Sequence, residues 1–287
     1  MRPIPKIMYH SPETLEEALT LLIEKENAKP LTGGTDLITA MKSETISPSH
    51  LVDLNEIPEL NYIKLEEKYI KIGATTTHTQ IENNEYTTKL PALVEAVSRI
   101  GSPQIRNRGT IVGNICNASP AADSAPPLLV HEAEVTIKSL DEERIISIED
   151  LFTGPKMNCL EASEIVSEIR IPEPRDNSWS SYKKIGRRKA FTLSVVSSAS
   201  YIEMKNDICI DARLAFGSVA ATPIRVPEAE DLLRDSQLDE DTIEAASDIV
   251  HETVKPITDI RGTAEYRKDM CPILMRRAVN QCLENLR

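Results

Sequence analysis

Closely spaced cysteines are missing from this sequence. None of the five cysteines lies in a C-x-x-C pair; they are Cys116, Cys159, Cys209, Cys271 and Cys282. Zinc and iron–sulfur sites usually draw on closely spaced thiolates, so the sequence predicts neither kind of site. Isolated cysteines in odd number are typical of a cytosolic protein with reduced thiols.

Three other shortages narrow the choice of function. Aromatic residues make up only 4% of the chain and the formal net charge is −12, which argues against a protein that binds nucleic acid through a basic face. No apolar run approaches the ~18 residues that span a bilayer. Residues 1–5 lack the apolar stretch of a signal peptide. We therefore expect no nucleic-acid partner, no membrane span and a cytoplasmic location.

The chain does contain enough apolar material for a core in two or three units. Its 287 residues exceed one average domain, and 40% of them are hydrophobic. A β-α-β-like pattern fills the first 56 residues, with a helix that we expect Ser11 to cap. The apolar periodicity then indicates a hairpin at 62–72, helices at 77–81 and 90–100, and strands at 134–138, 143–148 and 165–171.

The pattern changes after a proline-containing linker at residues 172–177. Two long strands at 193–204 and 208–219 flank a turn, and helices follow at 227–235, 239–253 and 264–286. Before the linker, residues 101–127 are rich in Gly, Ser, Pro, Asn and Asp. This composition predicts a long loop, and loops of such length are often functional.

A basic cluster follows the linker and consists of Lys183, Lys184, Arg187, Arg188 and Lys189. It is most simply a solvated strand end. It could also hold an anionic ligand or a reduced flavin.

A glycine pair follows the second predicted strand, in Leu31-Thr32-Gly33-Gly34-Thr35-Asp36-Leu37. Glycine lets a backbone approach a ligand closely and take a positive φ. A helix N-terminus offers free N–H donors and a positive dipole end. The stretch can therefore cradle a pyrophosphate, but taken alone a plain strand-to-helix turn explains it better.

A second stretch of small polar residues runs from Arg108 to Ser124. Its Thr110, Asn114, Asn117 and Asp123 can form hydrogen bonds with ribityl hydroxyls or phosphate oxygens. Length and composition alone also fit a surface loop with turn residues.

Taken together and in this order, the two stretches resemble the flavin motifs of the FAD-binding subunits of molybdenum hydroxylases, the family of xanthine dehydrogenase and carbon monoxide dehydrogenase. Residues 32–37 match a motif of the type A-G-G-[ST]-x-L, and residues 110–114 match T-I-G-G-N. Residues 117–124 match N-x-S-P-x-x-D-S. Further matches at 102–107, 164–166 and 182–184 extend the resemblance over essentially the whole chain.

One position departs from the family pattern. Val112 stands where the second motif has its first glycine, whereas Gly113 is kept. A branched side chain there would crowd the backbone beside the pyrophosphate or force a negative φ. We therefore expect Val112 to weaken FAD binding modestly.

The resemblance implies FAD as the cofactor and assigns roles to the matching residues. Gly33, Gly34 and Thr35 would hold the pyrophosphate through their N–H groups, opposite Thr110, Gly113 and Asn114. Asp123 would accept hydrogen bonds from the ribityl chain or the adenosine ribose. Lys183 would lie near the isoalloxazine, where a cation stabilises an anionic reduced flavin. The full set of candidate cofactor-binding residues is Leu31, Thr32, Gly33, Gly34, Thr35, Asp36, Leu37, Ile100, Thr110, Val112, Gly113, Asn114, Asn117, Asp123, Ile165, Val166 and Lys183. No catalytic residue and no metal ligand are implied.

The same resemblance implies an α+β fold. Two small subdomains, residues 1–56 and 57–175, would clasp FAD as in flavoproteins of the vanillyl-alcohol oxidase type. Residues 176–287 would add a C-terminal domain with an antiparallel sheet and a helical layer.

The implied function is electron transfer within a larger oxidoreductase. A small subunit with [2Fe–2S] clusters would deliver electrons from a molybdopterin-binding large subunit, and NAD or another acceptor would take them from the flavin. Two alternatives stay open, namely a self-contained flavin oxidase or reductase and a scaffold that has lost FAD. The sequence names neither the organic substrate nor the acceptor.

Overall fold

The computed structural model describes residues 6–188 and 193–286. Lys189 of the basic cluster lies outside the described residues. The strands are β1 (Met8–His10), β2 (Ala28–Leu31), β3 (His50–Asp53), β4 (Ile63–Glu66), β5 (Tyr69–Gly73), β6 (Glu134–Lys138), β7 (Glu143–Ser147), β8 (Phe152–Gly154), β9 (Met157–Asn158), β10 (Ile165–Pro172), β11 (Ser178–Gly186), β12 (Ser194–Lys205), β13 (Ile208–Gly217) and β14 (Ile224–Arg225). The α-helices are α1 (Leu15–Glu24), α2 (Leu37–Lys42), α3 (His78–Glu82), α4 (Pro91–Ser98), α5 (Pro103–Arg106), α6 (Ile111–Cys116), α7 (Ala125–Val130), α8 (Ile148–Leu151), α9 (Pro227–Leu233), α10 (Glu240–Thr253) and α11 (Ala264–Leu286). Short 3₁₀ turns occur at Pro58–Leu60 and Tyr86–Lys89.

The strands form three main sheets that follow one another along the chain. The first is parallel, in the order β1-β3-β2. The second is antiparallel, in the order β4-β5-β10-β6-β7. The third, β11-β12-β13-β14, is antiparallel and is covered by α11 and α9. The expected α+β class with a C-terminal antiparallel sheet is confirmed.

Local sequence explains where most elements begin. Thr77 caps α3, since its hydroxyl accepts from the Gln80 N–H while the Gln80 side chain accepts from the Thr77 N–H. Asn206 and Asp207 both take a positive φ, of 50° and 64°, which suits the tight turn between β12 and β13. The expected cap of α1 was wrong by three residues: Thr14, not Ser11, accepts from the helix backbone.

About half of the segment predicted as a long loop is helical. Residues 101–127 contain α5, α6 and the start of α7. Ser102 and Thr110 cap the first two of these helices, and proline stands in the first turn of α5 and α7. Each helix has only four to six residues, too few for apolar periodicity to reveal it.

Two hydrophobic cores hold the sheets together. The first core joins the first two sheets and also includes Tyr182, Ala199 and Tyr201 from the third sheet. The second core lies between the third sheet and the C-terminal helices. Within residues 6–188 and 193–286, no helix is long and apolar enough to cross a membrane.

Two histidines are buried in this framework. His131 follows α7, is 3% exposed, and shares a hydrogen bond of 2.9 Å with the Ser180 hydroxyl. His78 begins α3 and is 2% exposed. Burial lowers the pKa of His131 to about 3 and that of His78 to about 4, so both rings are neutral in the folded protein at neutral pH.

We expect these two histidines to lower the free energy of unfolding as the pH is lowered from 7 to 5. The unfolded state binds more protons below the ordinary histidine pKa of 6.5, so each ring lowers the free energy of unfolding by about 2 kcal/mol between roughly pH 7 and pH 5. The loss levels off below the folded-state pKa. Urea unfolding at the two pH values should show a smaller loss for His131→Gln than for the wild type. The surface variant His251→Gln is the control, and equal losses in all three proteins would contradict the prediction.

Candidate functional site

The two glycine-containing stretches lie against each other. The hydroxyls of Thr32 and Thr110 are 2.9 Å apart and share a hydrogen bond. A Cβ on Gly33 would lie 2.2 Å from the carbonyl oxygen of Arg108 and 2.7 Å from Cα of Gly109. Only glycine permits this contact, so Gly33 serves the junction between the two segments as well as any ligand.

Gly34 of the first motif and Gly113 of the second are also constrained. Gly34 has a φ of +69°, which favours glycine. A Cβ on Gly113 would lie 2.9 Å from the Thr110 hydroxyl and 3.2 Å from that of Thr32. The Thr110 hydroxyl accepts from the Gly113 N–H and thereby caps α6. Gly113 therefore keeps the junction compact, whereas Gly34 permits the left-handed backbone turn before α2.

Four backbone N–H groups at this junction donate no hydrogen bond within the described structure. Within the described part of the chain, the N–H groups of Gly33, Gly34, Thr35 and Asp36 have no hydrogen-bond acceptor. These four consecutive groups precede α2, whose N-terminal end carries a partial positive charge. Such a row of donors binds anionic oxygens, so the residues present fit a pyrophosphate.

Val112 departs from the family motif without entering the junction. It is the second residue of α6 with a helical backbone, and its side chain is 5% exposed within the first core. Its N–H, like those of the first loop, has no acceptor among the described residues. The side chain thus points away from the donors, and the structure gives no sign of the expected crowding.

Two asparagines flank the far end of α6. Asn114 accepts a hydrogen bond of 2.7 Å from the Ser124 hydroxyl, which ties α6 to the start of α7. Asn117 caps the C-terminus of α6 and is half-buried. The Asn114 side chain therefore helps to organise the loop that carries Asp123, whereas Asn117 acts through its backbone N–H.

Asp123 is the centre of a buried polar network. Its Oδ1 accepts from the Tyr182 and Ser194 hydroxyls at 2.7 and 2.5 Å, and its Oδ2 pairs with the Lys184 ammonium at 2.7 Å. Asp123 is 7% exposed. Its carboxylate is thus already engaged by three partners from the C-terminal sheet.

Lys184, a member of the basic cluster to which the resemblance assigned no separate role, is paired with the candidate residue Asp123, whereas Lys183 is not. Neighbouring residues of β11 point to opposite faces. Lys184 also donates to the carbonyl of Arg99, next to Ile100. Lys183 faces α11 and α4 instead, with Gln281 and Glu95 as partners. Strand alternation separates the two lysines but does not tell which one faces the cofactor.

Three apolar candidates belong to the first core or pack against it. Ile165 and Val166 begin β10 and are 3% and 2% exposed. Ile100 is half-buried against the same core. Leu31 ends β2 and Leu37 begins α2, so both anchor the first glycine loop.

His78 packs against Gly109 in the second glycine-containing stretch. The residues next to His78 in the sequence gave no indication of this contact. Its N–H donates to the Gly109 carbonyl at 3.0 Å. A Cβ on Gly109 would lie 3.3 Å from the imidazole Cδ2. The neutral ring thus supports the backbone that meets Gly33.

Comparison with known proteins agrees with this geometry. Residues 5–174 match the family model for the FAD binding domain in molybdopterin dehydrogenase, and residues 180–282 match the CO dehydrogenase flavoprotein C-terminal domain. The xanthine dehydrogenase FAD-binding subunit of Escherichia coli O157:H7 is 35% identical over 96% of this chain and 95% of its own length. The nicotinate dehydrogenase FAD-subunit of Eubacterium barkeri is 33% identical over 97% of this chain and 96% of its own length.

Solved structures of carbon monoxide dehydrogenase and quinoline 2-oxidoreductase contain a chain with the same fold. Carbon monoxide dehydrogenase from Hydrogenophaga pseudoflava superimposes with a TM-score of 0.95 at 31% identity and 99% coverage of both chains. Quinoline 2-oxidoreductase from Pseudomonas putida 86 gives a TM-score of 0.94 at 26% identity, with 99% of both chains covered. The chain belongs to the family of FAD-binding subunits of molybdopterin dehydrogenases, and its cofactor is FAD.

We expect Gly34→Val to abolish stable FAD binding while the fold is retained. A branched residue at positive φ costs on the order of 1–2 kcal/mol, and its Cβ would lie 3.1 Å from Leu31 and 3.2 Å from Ile38. The loop would shift and its N–H groups would diverge. Flavin absorbance of the purified variant measures the loss. Gly154→Val is the control, since a Cβ there meets Met157 only at 3.6 Å; full flavin occupancy in Gly34→Val would contradict the assignment.

We expect Val112→Gly to destabilise the fold and leave FAD affinity nearly unchanged. The change removes a buried side chain and places glycine in a helix, at a cost of about 2–3 kcal/mol. Val97→Gly in α4 is the matched control, because Val97 is a fully buried helical valine. Titration of both apo-proteins with FAD, beside urea unfolding, tests this. Clearly tighter binding by Val112→Gly would show that the valine crowds the cofactor after all.

Proposed function

We propose that this chain is the electron-transfer subunit of a cytoplasmic molybdenum hydroxylase complex. In this proposal, [2Fe–2S] clusters of a small partner subunit supply the electrons, and a molybdopterin-binding large subunit oxidises the organic substrate. NAD or another acceptor receives the electrons from this chain. FAD supplies the redox chemistry, since a flavin can exchange electrons both singly and in pairs.

The row of free N–H groups after β2 is the observation that carries the proposal. Gly33, Gly34 and Thr35 would hold the pyrophosphate through these donors. The Thr110 cap fixes the N-terminus of α6 beside them, where Gly113 leaves room. FAD would then lie between residues 1–56 and 57–175, because the two loops come from those two parts of the chain.

The buried pair of Asp123 and Lys184 supports the other end of the site. Lys184 is 8% exposed and is held by Asp123 and by the Arg99 carbonyl. Of the two neighbouring lysines, Lys184 is the one on the face of β11 that meets the loop carrying Asp123. We infer that Lys184, rather than Lys183, takes the role of stabilising an anionic reduced flavin.

The names of the relatives support the role of a subunit. The nicotine 6-hydroxylase medium subunit of Paenarthrobacter nicotinovorans is 34% identical over 96% of this chain. The carbon monoxide dehydrogenase medium chain of Afipia carboxidovorans is 34% identical over 95%. A medium subunit implies larger and smaller partners, and the substrates in these names differ. We therefore place substrate choice in another subunit.

We expect the isolated chain to bind FAD without hydroxylating any organic substrate. Its absorbance spectrum should show flavin bands, and iron and sulfide should fall far below stoichiometric amounts. Slow electron transfer from NADH to a dye would agree with the proposal, because that half-reaction needs only the flavin. Assays with purines, aldehydes and aromatic acids provide the test. Hydroxylation by this chain alone would instead support a self-contained flavoenzyme.

A further inference from the structure

His78 lies directly behind the point where the two glycine-containing stretches meet. A Cβ on Gly109 would lie 3.3 Å from the imidazole Cδ2 and 3.5 Å from Nε2, so the ring packs against the bare side of this glycine. On the opposite side, a Cβ on Gly33 would lie 2.7 Å from Cα of Gly109. Gly109 is therefore enclosed between the first glycine loop and the imidazole.

Main-chain contacts fix where the imidazole lies. The His78 N–H donates to the Gly109 carbonyl at 3.0 Å, and Thr77 pairs with Thr110 in an isolated antiparallel bridge. A capping box at Thr77 closes the first turn of α3, which begins at His78. The ring is thus carried by a segment whose backbone is bonded to the same loop that the ring contacts.

Side chains of α3 also hold the residues just before Gly109. The Thr79 hydroxyl donates to Asn107 Oδ1 at 2.6 Å. The Arg106 guanidinium lies 3.4 Å from the Glu82 carboxylate. The first turn of α3 and its last residue therefore both support the segment that leads into the second stretch, and His78 is the member of this support that reaches Gly109 itself.

Hydrogen bonding by the ring does not explain why a histidine occupies this place. The His78 Nδ1 is buried and has no hydrogen-bond partner within residues 6–188 and 193–286. Burial and the neighbouring Arg106 charge lower the pKa of this histidine to about 4, so the ring is neutral at neutral pH. A buried nitrogen without a partner costs free energy. The contribution that remains is the shape of the ring, a flat group that fills the space behind Gly109.

The position of Gly109 determines the position of the neighbouring donors. Thr110 follows it directly, shares a hydrogen bond of 2.9 Å with Thr32, and caps α6. In a closely packed interior a backbone segment moves only into empty space. A void in place of the imidazole would let Gly109 move back, and the N-terminus of α6 would then move away from the first glycine loop.

We propose that His78 is a positioning residue for FAD, whose imidazole acts as a steric stop behind Gly109 and keeps the N-terminus of α6 against the first glycine loop. The proposal rests on the position proposed above for the pyrophosphate. His78 acts through Gly109 and takes no direct part in binding. Its effect therefore lies in the affinity for FAD, because donors that are fixed in advance lose less free energy when the ligand binds.

Removal of the ring tests the steric stop. We expect His78→Ala to raise the Kd for FAD at least about tenfold and to speed flavin release, because the loop can move into the vacated space. His78→Phe keeps a flat ring without the nitrogens and should restore the Kd to within about threefold of the wild type. His78→Asn has a shorter side chain and should give an intermediate Kd, which provides a second test if His78→Ala does not fold.

His131→Ala is the matched control. It removes an imidazole that is equally buried, 3% exposed, whose ring is bonded to Ser180 and not to either glycine-containing stretch. This variant should lose stability and leave the Kd for FAD unchanged. Each Kd is measured by titrating the full-length apo-protein with FAD and following flavin fluorescence, at a temperature where urea unfolding shows every variant to be folded.

Three results would overturn the proposal: an unchanged Kd in His78→Ala, an equal rise in Kd in His131→Ala, or no restoration by His78→Phe. The comparison with Gly34→Val separates this proposal from the proposed site. Loss of FAD in Gly34→Val together with normal binding by His78→Ala overturns the role of His78 alone. Normal binding by both variants overturns the proposed position of the pyrophosphate as well.

Discussion

The site depends on how closely two backbone segments can approach. Because a Cβ on residue 33 would lie 2.2 Å from the Arg108 carbonyl oxygen, the segment after β2 touches the segment before α6 only if Gly33 is glycine. The contact pairs the Thr32 and Thr110 hydroxyls, and Thr110 also caps α6. The N-termini of α2 and α6 come from different parts of the chain and meet here, so in the proposed site their free N–H groups and partial positive charges would act on the same ligand.

The C-terminal sheet takes part in building the site. Tyr182 and Lys184 of β11 and Ser194 of β12 all bind Asp123, which belongs to the loop after α6. The pair of Asp123 and Lys184 is more than nine-tenths buried on both sides. Removing one partner would take this ion pair away from the buried charge that is left, which is destabilising. The third sheet is therefore tied to the cofactor loop by charge as well as by the apolar contacts of Tyr182 and Ala199.

Sequence alone predicted the elements whose signals are local. The glycine pair, the helix expected from residue 77 and the turn expected between residues 204 and 208 each act within a few residues, and each is found where the pattern indicated. The helices α5 to α7 were missed because their length is near one turn and their composition is that of a loop. Tertiary contacts stabilise such helices, and those contacts join residues far apart in sequence.

The two lysines of β11 show that local sequence also fails to predict which single residue faces the candidate site. Period-two alternation places Lys183 and Lys184 on opposite faces, but the partners decide which face is buried against Asp123. Those partners lie about 60 and 100 residues away in the chain, beyond the reach of any local pattern. His78 is a similar case, since only the fold brings it behind Gly109.

Val112 shows that the two glycine positions of the second motif have different structural requirements. Position 112 is helical and turned into the core, so it contributes an N–H group that any residue except proline provides. Position 113 is different, because a Cβ there would lie 2.9 Å from the Thr110 hydroxyl and 3.2 Å from that of Thr32. Both hydroxyls belong to the junction that Gly33 makes possible. The second glycine is thus the one that the contact between the two loops requires, and the first can be exchanged for an apolar residue that the core accepts.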